Sequence, residues 1–381
     1  MNKKIFKVLA LVLVVVIGIV AMAACGQQAP TKDNTKFVIG GSGPLTGGAA
    51  VYGIAVKNAA QLAVDEINAA GGLNGVNFEL NFKDDMAEAD KATAAYSILY
   101  DAGMNVSMGS VTTGSCIAFA KQAAKDNVFF MTPSASGDDA VTDDSAYRVC
   151  FGDPDQGEAT AKYFNTDEFK TSHPGSKIGV IYKNDDAYSK GIYDAFMANK
   201  GDIEVVTTSF DENSKINFEA NITQIKSCNI LVLPIYYSEA ILILKEAKAQ
   251  HYAPQVYGCD GLDGIEGEAK KTDFDVTGVN YFTPFDADST DANIVKFVTS
   301  YKNAYNEVPN QFAADAYDAV YILYNLMKKA NLSDPTMSAS DITNLINPLM
   351  TEFNYDGLTG KDMTWSADGH CHKAIQVKTI G

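Results

Sequence analysis

The distribution of apolar and polar residues along the chain predicts strands and helices in alternation. Between residues 77 and 82, Phe78, Leu80 and Phe82 alternate with polar residues, the spacing of two that is typical of a strand. Between residues 54 and 69 the apolar residues recur at helical spacing, and Gly71-Gly72 predicts the end of that helix. Residues 40–44, Gly-Gly-Ser-Gly-Pro, predict a turn. The other strands predicted in this half are residues 37–39, 106–108 and 128–131, and the other helices are residues 90–100 and 115–126.

The same alternation begins again after residue 152. The predicted strands here are residues 177–182, 203–207, 230–234, 255–257 and 278–282, and the predicted helices are residues 188–199, 218–227, 238–250, 291–306 and 311–329. The end of the chain predicts short antiparallel strands at residues 363–365 and 374–378. Strands that alternate with helices form parallel sheets covered by helices. The pattern therefore predicts an α/β protein with two similar halves.

The first 25 residues have the layout of a secretory signal. Three lysines, at positions 3, 4 and 7, precede an apolar run over residues 8–20, and an alanine-rich stretch leads to Cys25. This run of 13 residues is shorter than the roughly 20 residues that cross a bilayer as a helix. It therefore predicts a cleaved signal peptide and no permanent membrane-spanning helix. The residues after Cys25 are polar and without periodicity, as in a flexible tether.

The segment around Cys25 resembles a known lipidation motif. Residues 22–26, Met-Ala-Ala-Cys-Gly, are similar to the lipobox of bacterial lipoproteins, although Met22 stands where leucine is usual. The resemblance implies that Cys25 carries a lipid and becomes the first residue of the mature chain. The protein is then extracytoplasmic and held at the cell membrane by that lipid alone. The alternative is a plain signal peptide in which Cys25 is incidental.

Charge and cysteine content narrow the function. The formal net charge is −17, and removal of the three signal-peptide lysines makes it −20, which disfavours binding to nucleic acid or to anionic lipid surfaces. The length after the tether predicts two domains. The odd number of cysteines beyond Cys25 fits neither a disulfide framework nor a zinc site. Adjacent residues of a strand point to opposite faces, so His370-Cys371-His372 does not predict a metal site. No cofactor is predicted.

Three polar turns are candidates for ligand binding. They are residues 41–44, 109–115 and 132–136, and each follows a predicted strand. In parallel α/β sheets ligands bind beyond the C-terminal ends of the strands. The second turn opens a helix directly, where free N–H groups and hydroxyls hold an anion such as a carboxylate. No turn has the Gly-x-x-x-x-Gly-Lys-Ser/Thr pattern of nucleotide sites, and residues 41–43 lack the helix start of a dinucleotide fingerprint.

A set of short segments occurs in a characteristic order and spacing, at residues 39–47, 52–53, 63–68, 71–75, 84–85, 113–114, 132–136, 155–157, 188–191, 236 and 258–261. Together they resemble the leucine/isoleucine/valine-binding family, which consists of type I periplasmic binding proteins that serve ABC importers. The resemblance covers residues 37–378, and its specificity lies in the order and spacing of the segments. It implies two Rossmann-like lobes with parallel sheets, joined by a hinge of three crossovers that close on a ligand.

The resemblance also implies a division of the chain. The crossovers fall near residues 152–153, 282–283 and 355–357. One lobe then contains residues 37–152 and 283–355, and the other contains residues 153–282 and 356–381. They follow a signal peptide of residues 1–24 and a tether of residues 25–36.

Roles in ligand binding follow from the resemblance, residue by residue. Thr113 and Ser136 stand where the family has hydroxyls that bind the α-carboxylate of an amino acid. Ser134, which is followed by Ala135, offers its carbonyl to the α-ammonium, and Asp260 stands where the family has an acidic partner for that ammonium. The aromatic positions that wall the side-chain pocket are Tyr52, Tyr188, Tyr236 and Phe312.

Chemistry supports these roles independently, because a zwitterion needs hydroxyl and N–H donors at one end and a carboxylate at the other. Simpler interpretations exist for each position. The hydroxyl residues suit turns or helix caps, Asp260 suits a turn, and the tyrosines suit half-buried surfaces.

Two positions depart from the family. Ala87 and Thr112 occupy the places where many periplasmic members have a disulfide, and Asp260 is one methylene shorter than the usual glutamate.

The sequence therefore predicts a solute-binding lipoprotein of an ABC importer that captures an α-amino acid, foremost leucine, isoleucine or valine. It acts as a monomer and delivers the ligand to permease subunits. The scarcity of histidine and the absence of a Gly-x-Ser-x-Gly nucleophile motif argue against an enzyme. The alternatives are a ligand-sensing receptor protein, or a binding protein for an aromatic amino acid or a small amide.

Overall fold

The protein contains two parallel β-sheets covered by helices. The computed structural model describes residues 34–381, so the predicted signal peptide, Cys25 and most of the tether lie outside the described residues. The strands of the first sheet are β1 (Lys36–Gly43), β2 (Asn77–Asp84), β3 (Val106–Ser107), β4 (Phe130–Thr132) and β5 (Ala146–Arg148). They lie in the order β2-β1-β3-β4-β5 and are all parallel.

The helices associated with the first sheet come from both ends of the chain. They are α1 (Ala50–Ala69), α2 (Ala89–Asp101) and α3 (Thr113–Asp126), and, from later in the chain, Ala292–Tyr305, Gln311–Lys329 and Ala339–Ile346. The long helix Gln311–Lys329 packs along α1. We call this sheet and its helices the first α/β unit.

The second sheet has five parallel strands and one antiparallel strand at its edge. The parallel strands are β6 (Ile178–Lys183), β7 (Val205–Phe210), β8 (Ile230–Leu233), β9 (Gln255–Gly258) and β10 (Asn280–Thr283). Its helices are α4 (Asp153–Asn165), α5 (Asp167–Ser172), α6 (Ala187–Asn199), α7 (Glu219–Ile225), α8 (Tyr237–Ala249) and α9 (Ile265–Lys270). We call this sheet and these helices the second α/β unit. In chain order, the last three helices of the first α/β unit are α10 (Ala292–Tyr305), α11 (Gln311–Lys329) and α12 (Ala339–Ile346).

The C-terminal segment connects the two units. A small antiparallel sheet is followed by the edge strand that pairs with β10, and these strands are β11 (Asn354–Tyr355), β12 (Met363–Trp365), β13 (Cys371–His372) and β14 (Gln376–Thr379). Trp365 Nε1 donates to the carbonyl of Arg148 in β5 (2.8 Å). Lys373 Nζ, which is fully buried, forms an ion pair with Asp315 of α11 (2.6 Å). The prediction of two parallel α/β sheets is confirmed, whereas the division of the chain between lobes stays a prediction.

The predicted turn at residues 40–44 is wrong, because β1 continues through Gly43. The glycines are required here by close packing rather than by a turn. A Cβ added at Gly40 would lie 2.5 Å from Met104 Sδ, and one added at Gly43 would lie 2.5 Å from Val111 Cγ2. Side chains on neighbouring elements therefore fill the space above β1. As a result, the strand carries Ser42 to the C-terminal edge of the sheet.

Four helices escaped the sequence analysis, the short helices α5 and α9 and the longer helices α4 and α12. Helix α12 is amphipathic, and α4 begins at the point where the analysis placed only a boundary. The start of α4 does carry a signal, because Asp155 Oδ2 accepts the N–H of Gly152 (2.8 Å) and Pro154 occupies the first turn. An acidic residue three places after the cap and an early proline are typical of a helix start. Among the described residues, no helix has the length and apolarity needed to cross a membrane.

Candidate functional site

A narrow cleft lies where the C-terminal ends of the two parallel sheets face each other. The first unit contributes the starts of α1, α3 and α11, and the second contributes the starts of α6 and α8 and the turn after β9. The free volume of the cleft is ≈ 20 Å³. Its walls are formed by Tyr52, Val111, Thr112, Thr113, Ser134, Tyr188, Tyr236, Asp260, Gly261 and Phe312.

Aromatic rings from both units form one wall of the cleft. Tyr52, only 2% exposed, lies 4.5 Å from Phe312 and 5.5 Å from Tyr236, measured between ring centroids. Tyr236 in turn stacks on Tyr188 with a centroid distance of 5.0 Å. Such rings contribute a large apolar surface and few internal rotations. The wall therefore suits an apolar side chain of limited size.

Tyr52 also joins the two units by hydrogen bonds. Its hydroxyl donates to the carbonyl of Gly261 (2.6 Å) and accepts the N–H of Tyr237 (3.1 Å), and both partners belong to the second unit. A second bridge is the N–H of Gln311, which donates to Asp263 Oδ2 (2.7 Å). These bonds hold the two units against each other, so the cleft is closed in this structure.

One end of the cleft is acidic. Asp260 is 2% exposed, its Oδ1 accepts the hydroxyl hydrogen of Tyr188 (2.7 Å), and its N–H donates to Gln156 Oε1 (3.0 Å). The Tyr188 oxygen also accepts the N–H of Gly261 (2.8 Å), which fixes the ring. Burial raises the pKa of Asp260 to about 7, against the lowering effect of the bond from Tyr188. A cationic group beside Asp260 would restore its ionised form.

The other end of the cleft is rich in hydrogen-bond donors. Thr113 begins α3, and no side chain caps that helix start. The neighbouring hydroxyls of Thr112 and Ser115 are buried without a hydrogen-bond partner. The Ser134 hydroxyl, by contrast, donates to the carbonyl of Val111 (2.6 Å) and fixes the facing loop. An uncapped helix start carries free N–H groups and positive partial charge, so this end suits an anion.

The structure brings together the predicted site residues except Ala135, Ser136 and Cys25. Ala135 is fully buried in the core behind the cleft, and its N–H donates to Thr132 Oγ1 (3.1 Å). Ser136 is also buried behind the lining residues, and its hydroxyl has no hydrogen bond of normal geometry. Cys25 lies outside the described residues.

Sequence reasoning missed Gln156 as a residue that supports the site. It lies on the first turns of α4, is fully buried, and contacts Asp260 from behind. In the sequence, Gln156 lies within residues 155–157, a segment of the family resemblance to which no role in the site was assigned. Val111, Thr112 and Gly261 also line the cleft, and each is the chain neighbour of a predicted residue or turn.

No histidine or cysteine is among the residues that line the cleft. The described cysteines, Cys116, Cys150, Cys228, Cys259 and Cys371, are free and buried. Over residues 34–381 no group of histidine, cysteine and acidic side chains is arranged to hold a metal ion.

Comparison with known proteins gives a consistent result. The family described as periplasmic binding protein matches residues 36–380. The Leu/Ile/Val-binding protein BraC3 of Rhizobium johnstonii is 33% identical over 79% of this chain and 81% of its own. The branched-chain amino acid transporter substrate-binding protein LivJ of Streptococcus pneumoniae, solved with isoleucine, is 28% identical with a TM-score of 0.80 over 91% of this chain and 96% of its own.

A more distant structural relative carries a different ligand. It is a solute-binding protein of an ABC transporter from R. palustris, solved with benzoate, and it is 20% identical with a TM-score of 0.75 over 91% of this chain and 93% of its own. At this sequence identity, the comparison shows only that the two proteins share a fold.

Proposed function

This chain belongs to the periplasmic binding protein family, and we propose that it captures an α-amino acid, foremost leucine, isoleucine or valine, in the cleft between its two α/β units. Membership confirms the resemblance noted in the sequence and the prediction that the protein is a binding protein and not an enzyme. The choice of ligand rests on the cleft itself.

The observation that carries the proposal is that the two ends of the cleft favour opposite charges on a ligand. Asp260 offers a buried carboxylate at one end, and the uncapped start of α3 offers donors at Thr113 on the other. A zwitterion satisfies both ends at once, since its ammonium pairs with a carboxylate and its carboxylate accepts from N–H and hydroxyl groups. A ligand with only one of these charges leaves a buried group unpaired, which is costly.

The polarity of the cleft favours an aliphatic side chain. Tyr52, Val111 and Phe312 line it with apolar surface. No lysine or arginine is among its lining residues, which disfavours an anion without an ammonium group, such as benzoate.

The delivery route is part of the same proposal. One relative is named as a Leu/Ile/Val-binding protein, LivJ is the substrate-binding protein of a branched-chain amino acid transporter, and the relative solved with benzoate belongs to an ABC transporter. We infer that this protein presents its closed form to permease subunits of such an importer. Lipid attachment at Cys25 would keep it at the outer face of the cell membrane, and Cys25→Ser would release it.

A thermal-shift screen tests the ligand assignment. The parent protein is heated with each of the twenty amino acids and with benzoate. A ligand at a hundred times its dissociation constant raises the free energy of unfolding by about 2.7 kcal/mol. We expect the largest rise in melting temperature with leucine, isoleucine or valine.

Two variants make the screen specific. Asp260→Asn should lose the rise caused by the amino acid. Asp202→Asn, which changes an exposed carboxylate of the second unit outside the cleft, should keep it. A rise with benzoate and none with any amino acid would replace the amino acid with an aromatic carboxylate.

A further inference from the structure

Asp85 is a buried carboxyl group that joins three segments behind the donor end of the cleft. It lies just after β2, is fully buried, and has no part in the proposed function. Its Oδ2 accepts the hydroxyl hydrogens of Ser42 (2.9 Å) and Ser110 (2.5 Å), and its Oδ1 accepts the N–H of Ala87 (3.0 Å). Asp85 therefore ties the end of β1 and the turn after β3 to its own loop.

Ser110 connects Asp85 to the lining of the cleft. The next three residues, 111–113, all line the cleft, and the last of them begins α3. The carbonyl of Ser110 accepts the hydroxyl hydrogen of Thr132 (2.8 Å), so both the side chain and the backbone of Ser110 are held by buried hydrogen bonds. The direction of the free N–H groups at the start of α3 therefore depends on Asp85.

The same network reaches the loop on the facing side. Besides donating to Ser110, Thr132 Oγ1 accepts the N–H of Ala135 (3.1 Å). Between these two residues, Ser134 lines the cleft, and its hydroxyl donates to the carbonyl of Val111 (2.6 Å). Buried hydrogen bonds in one network depend on one another. Loss of the carboxylate at the base of this network would therefore loosen both loops.

The loop that carries Asp85 is strained and is held by carboxylates. Met86 and Ala87 have φ angles of 54° and 62°, in the left-handed region that favours glycine. The N–H of Met86 donates to Asp84 Oδ1 (3.0 Å), and the N–H of Ala87 donates to Asp85 Oδ1. Such a conformation persists only where the surrounding structure determines it. The loop therefore holds the Asp85 side chain in one place.

We propose that Asp85 is a positioning residue for the carboxylate end of the ligand, a role that rests on the proposed function. It is not among the residues that line the cleft. It holds the turn of residues 109–113 so that the donors at the start of α3 converge on the ligand carboxylate. The acidic end of the cleft, at Asp260, is held by Tyr188 and Gln156 of the second unit. The two ends of the ligand can therefore be tested separately.

Calorimetric titration with leucine and leucinamide tests this role. The measured quantity is the ratio of the dissociation constant of leucinamide to that of leucine, which reports on recognition of the carboxylate. Asp85→Ala removes the acceptor of two serine hydroxyls. We expect leucine affinity to fall by about tenfold or more, and leucinamide affinity to change by less than about threefold. The ratio should therefore fall by at least about threefold.

Two further variants keep the test decisive if Asp85→Ala does not fold. Asp85→Asn keeps the shape of the side chain, and the serine hydroxyls can turn to accept from its amide, so leucine affinity should stay within about threefold of the parent. Ser110→Ala removes the link to the cleft lining and should lower the ratio as Asp85→Ala does. The two alanine changes together should lower it no further, because both act through one contact.

Two controls separate positioning from a general loss of stability. Ile225→Ala removes a fully buried side chain from α7 of the second unit, and it should lower the melting temperature without changing the ratio. Asp90→Asn changes an exposed acidic residue at the start of α2 and should match the parent. If Asp85→Ala and Ser110→Ala weaken the binding of leucine and leucinamide equally, or weaken neither, the inference is wrong.

Titration of the parent protein separates this inference from the proposed function. If the parent binds benzoate in preference to every amino acid, the proposed function is wrong, and the ratio of benzamide to benzoate then tests Asp85 in the same way. If the parent binds neither class of carboxylate, the inference and the proposed function both fail. If the parent binds leucine and Asp85→Ala leaves the ratio unchanged, only the inference fails.

Discussion

At the scale of single residues, Asp260 shows how burial prepares a carboxylate for a cationic ligand. Without a ligand its pKa is raised to about 7 by burial, although Tyr188 donates to it. An ammonium group in contact would lower that pKa, because an opposite charge favours the ionised form. The complex then holds fewer protons than the free protein. Binding is therefore favoured by raising the pH, up to the pKa of the free protein.

This linkage predicts a specific pH dependence. A free amino acid keeps both charges between about pH 5 and pH 8, so changes of affinity in this range report on the protein. The dissociation constant for leucine should be nearly constant just above pH 7 and should rise about tenfold for each unit below it. Calorimetric titration measures it directly. A dissociation constant that does not change from pH 8 to pH 5 would contradict the assignment of Asp260.

At the scale of elements, the segment before α1 determines where Tyr52 lies. Gly53 packs against the backbone of this segment, and a Cβ added there would be 2.0 Å from the carbonyl oxygen of Pro44. A side-chain neighbour could rotate away, but a backbone atom cannot without moving the segment. The helix start and the ring of Tyr52 are therefore positioned by this contact.

Replacement of Gly53 tests the importance of that packing. Gly53→Ala should lower the free energy of unfolding by about 1–3 kcal/mol, because overpacking forces backbone shifts, and it should also weaken leucine binding. Gly267→Ala in α9 has nothing within 4 Å of the added Cβ and should be neutral or stabilising, by up to about 1 kcal/mol. Thermal unfolding with and without leucine measures both effects. Equal melting temperatures for the two variants would contradict the packing argument.

The elements also show what the sequence could predict and what it could not. Strongly periodic segments were predicted well, and α11 spans Gln311–Lys329 as predicted. The glycines of β1 were mistaken for a turn because the packing of Met104 and Val111 above them is a tertiary contact. The start of α4 was missed because its proline and acidic residues resemble a loop until Asp155 is seen to bond Gly152.

The same limit applies to the site. The residues that line the cleft were accessible through family resemblance because they occur in short, recognisable segments. The role of Gln156 was not, although residues 155–157 are part of the resemblance, because it depends on burial and on the hydrogen bond with Asp260. Ser136 illustrates the difference, since its type was right for a ligand contact but the fold places it behind the lining residues. Sequence identifies residue types, and only the fold shows which atoms lack partners.

At the scale of the whole molecule, two parallel sheets direct their C-terminal ends into one cleft. The hydrogen bonds of Tyr52 to Gly261 and Tyr237 join the units across it. The C-terminal segment crosses between them, with Lys373 paired to Asp315 and β14 added to the second sheet. A ligand that contacts both units favours the closed form over any open form. Capture of a zwitterion is therefore the central claim.

The most direct test of that claim is calorimetric titration with leucine and two analogues that each lack one charge. Leucine should bind with a stoichiometry of one. The des-amino analogue leaves Asp260 without a cation, and leucinamide leaves the start of α3 without an anion, so each should bind at least about a hundredfold more weakly. If the des-amino analogue instead binds within about threefold of leucine, the protein does not recognise the ammonium group, and the account of the cleft as an amino-acid site is wrong.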